Sequence, residues 1–359
     1  MTDLIKFFEN SEFCNPIGNI KPMGDWKSLD INESNEELVP LGAFSEYTDI
    51  YTDAIYFAET NSSPYSHGDL EGALITCFVR ETVAEKLREA SKLLPDGYAI
   101  MVWDSYRPLE VQNTLYKDFV DELKAKRNMT QEEAELFAPN FVNMATDDPS
   151  RPSPHHTGGS IDLTIIKFDD DVKDKLSKLN KQVRSDDWKV SYAAEMARQA
   201  LFKKHATPID VGAKFDEASE ASAVKFFEDR IAEGEKLLDK EYEQAMNRRI
   251  LQNILRSVGF TSFEPEWWHV DYGNQFYSAQ SGEPAQYSAV KLSEENIEHE
   301  TMRRQHYIGT HNLSKATPGM KGKLGDDFAD QPEALIVAKE HADVNIRHSK
   351  HPIAGKLEV

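Results

Sequence analysis

With 359 residues, 40% of them hydrophobic and 29% charged, the chain can bury a sizeable core as one large domain or two smaller ones. A formal charge of −21, from 41 basic and 62 acidic side chains, repels nucleic-acid backbones and anionic membranes and sets both aside as partners. No apolar run approaches the ~20 residues needed to span a bilayer, and the longest, such as Tyr98–Trp103, are strand-sized. The start, MTDLIKFFENSEF, places Asp3 and Glu9 around a short apolar patch without a basic region, unlike a secretory signal. Residues 1–48 are mixed and polar, punctuated by Pro16, Gly18, Pro22 and Gly24, and read as an N-terminal extension or arm. Cys14 and Cys77 are too few for a disulfide framework and too far apart for a CxxC site. Read as ordinary thiols of a reducing compartment, they lead to the expectation of a cytoplasmic protein.

From Val79 to Leu94 an apolar spacing of three to four residues (Val83, Leu87, Ala90, Leu94) predicts an amphipathic helix. Pro95-Asp96-Gly97 makes a turn, and Tyr98–Trp103 reads as a buried strand. Pro108 suits the first turn of a helix running to about Lys126, and another helix is predicted over Gln131–Phe137. Along Ser160–Ile166 the residues Ile161, Leu163 and Ile165 alternate with Asp162, Thr164 and Ile166, as a strand requires. Charged helical blocks follow near 167–207 and 223–244, and acidic runs such as Asp169–Asp171 read as solvated faces. Asn247–Val258 is predicted as a helix closed by Gly259, with Phe260–Val270 extended beyond it. After about Ser288 the character changes: residues 314–323 read as a flexible link and Asp330 as the start of a short terminal helix. Six of the eleven histidines fall from His299 onward, without tight ligand spacing.

Chemistry concentrates in three segments. In Ser153–Asp162 (SPHHTGGSID) a histidine pair and a glycine turn precede a carboxylate on an otherwise apolar strand, which is costly unless neutralised. A metal does that, and the glycines let the chain fold back so that His155 and Asp162 reach one ion. In Glu266-Trp267-Trp268-His269 one polar residue can bind the ion while the other takes a proton from water. On an ideal strand those two side chains face opposite sides, so a twist or bulge is required. The third segment, Trp103–Pro108 (WDSYRP), places Arg107 just past the end of a buried strand. Taken singly, each has a plain structural alternative: a packed histidine, a capping aspartate, a surface ion pair.

Together, WDSYRP, SPHHTGGSIDLT, the helix Asn247–Gly259 with its NRR sequence, and EWWH, in this order, resemble the VanX-like D-alanyl-D-alanine dipeptidases of the zinc DD-peptidase superfamily. The resemblance runs from about Tyr51 to Gly273 and implies an α+β fold: a small antiparallel sheet carrying one Zn2+ site, flanked by helices. It divides the chain into an extension over 1–48, a peptidase domain over 49–288 with the two helical insertions, and a C-terminal extension over 289–359. It implies His155, Asp162 and His269 as the metal ligands, His155 rather than its neighbour His156 because the family spacing is seven residues from histidine to aspartate. Glu266 is then the general base, Arg107 the stabiliser of the oxyanion, and Asp216 the acceptor of the substrate's free ammonium. Ser153 matches a substrate-contact position, and Tyr56 aligns loosely with another.

The implied partner is a small dipeptide, and the implied activity hydrolysis of D-alanyl-D-alanine or a similar free-amine dipeptide. A carboxypeptidase or endopeptidase trimming peptidoglycan peptides, and a zinc-binding module without catalysis, remain the alternatives. Asp216 speaks against the first, and Glu266 with Arg107 against the second. The extensions and inserted blocks depart from the compact family pattern. Three roles are open to them: covering the cleft, forming a homo-oligomer interface, or narrowing the substrate range.

Overall fold

The computed structural model of the chain describes residues 1–57, 70–138, 142, 144–146 and 148–316. Its centre is a six-stranded sheet. Strands β2 (Tyr51–Thr52), β4 (Tyr98–Asp104), β5 (Ser160–Phe168), β8 (His269–Asp271) and β7 (Thr261–Ser262) lie side by side in that order, and β6 (Ala206–Pro208) pairs with the far end of β5. All pairings are antiparallel except β2 with β4, so the expected antiparallel sheet carries one parallel pair at its edge. A two-stranded ribbon, β1 (Leu38–Pro40) with β3 (Phe78–Arg80), stands apart from it.

Both long strands are apolar on both faces. Ile161, Leu163, Ile165 and Ile166 are buried alike, as are Ile100, Met101 and Val102, because helices cover the sheet. Into the same core go Val83, Ala84, Leu87 and Ala90 of α2 (Glu81–Lys92), and Leu176 and Leu179 of α5 (Lys173–Gln182). Leu201 and Phe202 of α6 (Trp188–His205) and Ile250, Leu251, Ile254 and Leu255 of α8 (Asp239–Ser257) join them. Leu4, Ile5 and Phe8 of α1 (Asp3–Phe8) belong to it as well. Burying such side chains is worth ~1.5–3 kcal/mol each, so the core is built largely from helix faces closing on β4 and β5.

Several boundaries differ from the sequence reading. Val79 and Arg80 belong to β3, so α2 begins only at Glu81. Pro108 caps α3 (Leu109–Arg127) from outside rather than entering its first turn, while α4 spans the expected Gln131–Phe137. The charged block at 223–244 splits into α7 (Phe226–Ala232), a connection, and the first residues of α8. That helix therefore starts at Asp239, eight residues before the apolar signal at Asn247. Residues 260–270 are not extended throughout, since a turn separates β7 from β8. After α9 (Gln275–Ser281) the last described element, α10 (Glu294–Ala316), is helical to within the stretch read as a link. The rest of that link and the helix expected from Asp330 lie outside the described residues.

Candidate metal centre and active site

Register brings the chemistry together. Asp104 of β4 faces Asp162 of β5, and Asp162 faces His269 of β8, so three polar residues form one row across three neighbouring strands. An irregularity between Val102 and Asp104 lets β4 turn its last residue into this row. His155 enters from the side, on a 3-10 turn over Pro154–Thr157 that ends at Gly158. Gly158 has φ +72°, where a side chain would strain the backbone and also strike Leu38. The glycine turn thus folds the histidine back over the strand that carries Asp162.

The hydrogen bonds fix which ring nitrogens face inward. His155 Nδ1 lies 2.9 Å from the Ser105 carbonyl, which can only accept, so Nδ1 carries the proton and Nε2 points to Asp162 Oδ1 at 3.6 Å. His269 is arranged the other way. Its Nε2 donates to Asp271 Oδ1 at 3.2 Å, and its Nδ1 lies 3.1 Å from Asp162 Oδ1. Asp271 is itself fixed by Ser160 Oγ at 2.6 Å and Asn274 Nδ2 at 2.8 Å, so the imidazole has a firm outer partner.

Between the two rings Asp162 Oδ1 is buried and accepts no hydrogen bond among the described residues. One donor atom from each of His155, Asp162 and His269 lies within 4.8 Å of the other two. Two imidazole nitrogens and a carboxylate oxygen, converging in a dry site, suit a divalent metal. Burial holds the His155 ring neutral, its pKa lowered to about 3 against the opposing pull of Asp162 and with the help of Arg107 and His269. Burial also works against a charged His269, but Asp271 and Asp162 raise its pKa well above the ordinary value. Positive charge is therefore favoured at the His269 ring and disfavoured at His155. His156 faces elsewhere: its Nδ1 bonds the Arg107 carbonyl at 3.0 Å and its ring stacks on Tyr106.

Glu266 does not lie on a strand. It sits in the β7–β8 turn, its amide bonded to Phe263 O at 3.1 Å and its carbonyl to the His269 amide at 3.2 Å. This turn, rather than the expected twist or bulge, puts Glu266 Oε2 3.7 Å from His269 Nδ1. Its side chain is 37% exposed while that of Asp162 is 6%, so it is the open member of the group. Desolvation, together with Asp162 and Asp216, raises its pKa against the pull of His269 and Arg107.

Arg107 is held by Asp104 Oδ2 through Nε at 2.9 Å and by Gln112 Oε1 through Nη1 at 2.8 Å, and it lies over the Tyr56 ring at 5.1 Å. Asp216 has φ +58° in an exposed turn. The preceding Phe215 packs its ring on Trp103 and Trp268, which brings Asp216 within electrostatic reach of Glu266. Ser153 is half-buried at the entry to the His155 turn, its carbonyl accepting from the His156 amide at 2.9 Å.

Residues 169–286 match the model of the peptidase M15 family, described as D-ala-D-ala dipeptidase. A D-alanyl-D-alanine dipeptidase of Synechocystis sp. is 25% identical over 214 residues, 56% of this chain and 72% of that protein. Those of Enterococcus faecium and Enterococcus faecalis are 24% and 26% identical, covering 52% and 53% of this chain and 69% and 70% of their own. The chain resembles the D-alanyl-D-alanine dipeptidases. The segment matched by the dipeptidase family model holds Asp216, Glu266 and His269, whereas Arg107, His155 and Asp162 precede it.

Sequence reasoning passed over Asp104, Asp271 and the clamp on the Asp216 segment. Asn247 bonds the Asp210 carbonyl at 2.9 Å, and the fully buried Arg248 bonds those of Val211, Ala221 and Ala223 at 2.5, 2.9 and 2.6 Å. The NRR sequence of the dipeptidase-like helix is thus a staple for the loop that presents Asp216. Signals existed for Asp104, an acid three residues before Arg107 at a strand end, and for the NRR sequence, which the resemblance already includes.

Proposed function

We propose that the chain is a zinc-dependent dipeptidase acting on D-alanyl-D-alanine or a similar small dipeptide with a free amine. The observation that carries this reading is the orphaned Asp162 oxygen between two oriented imidazoles, with an open carboxylate and a pinned arginine beside it. His155 Nε2, Asp162 Oδ1 and His269 Nδ1 would hold the ion. When bound, zinc supplies Lewis acidity, lowering the pKa of water towards ~7 and polarising a carbonyl.

The side chains do the rest. Glu266 takes the proton from the attacking water and later gives it to the departing amine, a double role that a raised pKa favours. Arg107, fixed by Asp104 and Gln112, presents a preorganised charge to the oxygen on which negative charge develops. Asp216 receives the ammonium of the substrate, which restricts cleavage to unblocked dipeptides. Tyr56, whose ring lies 5.1 Å from the Arg107 guanidinium, and Ser153 would contact the substrate. A carboxypeptidase or endopeptidase on peptidoglycan peptides lacks a use for Asp216.

Two measurements test this. Glu266→Ala is expected to keep one zinc per chain and to lose at least ~100-fold in kcat on D-alanyl-D-alanine, the usual scale of general-base catalysis. Equal turnover by wild type and variant removes Glu266 from its role. N-acetylation of the dipeptide is expected to abolish cleavage, and efficient hydrolysis of the blocked compound would turn the reading towards a carboxypeptidase.

A further inference from the structure

The last described helix has an unusual buried face. Along α10, Asn296, His299, Glu300, Arg303 and His306 are all buried, at the spacing of one helix stripe. A buried carboxylate is costly unless it finds partners, and those of Glu300 lead to the candidate site. Glu300 accepts from the backbone amides of Ile75 and Thr76, each at 3.0 Å. Arg304 pairs with Glu300 at 2.6 Å, bonds the Ala73 carbonyl, and lies over the Phe57 ring at 5.1 Å. Tyr307 meets the same Phe57 ring edge-on at 5.3 Å. Asn296 adds a bond to the Leu38 carbonyl at 2.8 Å.

Both held segments line the arginine side of the site. Phe57 follows Tyr56, whose ring lies under the Arg107 guanidinium. Thr76 and Cys77 border a small cavity together with Tyr56, Trp103, Asp104, Ser105 and Arg107. The stretches ending at Phe57 and starting at Ala73 are therefore tied to each other through one Glu300–Arg304 pair. No residue of α10 falls within the segment matched by the dipeptidase family model, which ends at 286.

We propose that α10 is a positioning element for the active site, in which Glu300 and Arg304 hold Tyr56 and the wall behind Asp104 so that Arg107 keeps its orientation. Neither residue touches the reacting atoms; they act through Phe57–Tyr56 and through Ile75–Cys77. This rests on the role given to Arg107 above. Because Arg107 acts on charge that develops late, loosening it lowers kcat more than it raises KM.

The test uses the full chain. Glu300→Ala, Glu300→Gln and Arg304→Ala are compared with wild type and with Glu298→Ala, which alters an exposed position of the same helix. Metal content, kcat and KM on D-alanyl-D-alanine, and backbone hydrogen exchange over residues 50–57 and 103–112 are measured. Expected for both alanine variants of the pair are one metal per chain, a kcat lower by about tenfold or more, KM within about threefold, and faster exchange in both segments. Glu300→Gln, which keeps an acceptor but not the charge, falls between, and Glu298→Ala matches wild type. Wild-type kcat in Glu300→Ala and Arg304→Ala, or unchanged exchange over the two segments, overturns the proposal. If wild type cleaves no dipeptide, the dipeptidase reading fails, and the exchange comparison alone decides the positioning role.

Discussion

Asp104 shows how much one carboxylate can set. Its Oδ2 accepts from Arg107 Nε at 2.9 Å and lies 3.4 Å from His155 Nδ1, while its Oδ1 accepts from the Ser105 amide at 2.8 Å. It therefore borders both the arginine and one imidazole, and the two roles can be separated. His155 already has the Ser105 carbonyl for its proton, so the ring keeps its orientation without Asp104. Arg107 loses its charged partner and retains Gln112, the Tyr56 ring and at most a neutral amide oxygen. Asp104→Asn is accordingly expected to keep one zinc per chain and to lower kcat by roughly 10- to 100-fold, the range in which small misplacements of a catalytic group operate. Steady-state kinetics beside elemental analysis decides the matter. Loss of metal along with activity would show that Asp104 acts chiefly through His155.

At the scale of elements, α8 has two jobs that its sequence only half displays. Ile250, Leu251, Ile254 and Leu255 made its second half legible as an amphipathic helix. Its first turns are charged and carry no apolar stripe, so the start at Asp239 was hidden. The residues between, Asn247 and Arg248, read in a sequence as solvent-facing side chains but are buried, because they pair with carbonyls of a loop that makes few regular bonds of its own. The same limit governed the site. His155, Asp162 and His269 were readable because each is a polar residue set in an apolar or glycine context. Asp271 was not, because its importance comes from a pairing across β5 to Ser160 that no local pattern reveals. The expectation that Glu266 and His269 require a twist or bulge assumes a continuous strand, whereas the turn at 263–268 is enforced by bonds from distant partners. Trp267 donates to Ser222 O at 2.9 Å, and Gln252 donates to Trp267 O at 2.7 Å.

Arg248 lets this scale be tested. Arg248→Met keeps the length of the side chain but leaves three carbonyls without their donor. Each such group costs ~1–3 kcal/mol if it stays buried, and less if the loop moves out to find water. Loop movement is the cheaper path, so KM for a free-amine dipeptide should rise by about tenfold as Asp216 loses its fixed place, with zinc retained. A variant with unchanged KM would mean that the loop holds its shape without the staple.

For the whole molecule, the question is how the outer segments relate to the sheet that carries the site. Residues 1–48 mix apolar and polar positions without a regular period and carry Pro16, Gly18, Pro22 and Gly24, which in a sequence resembles an arm. Folded, α1 inserts Leu4, Ile5 and Phe8 into the core that also holds β4, β5 and α8, and Leu4 and Ile5 are fully enclosed. Asn253 on α8 fastens the following stretch by bonding the carbonyls of Phe13 at 3.1 Å and Asn15 at 2.9 Å. A six-residue helix cannot stand alone in water, so its burial against α8 is what keeps it helical. Leu4→Ala removes a large buried side chain where the surroundings, fixed by α8 and the sheet, can close only in part. It is expected to lower the free energy of unfolding by about 2–5 kcal/mol, a large share of the ~5–15 kcal/mol typical of a folded chain. Urea unfolding of the full chain measures this directly. A loss under about 0.5 kcal/mol would place α1 outside the cooperative core and make residues 1–48 separable from the body that carries the site.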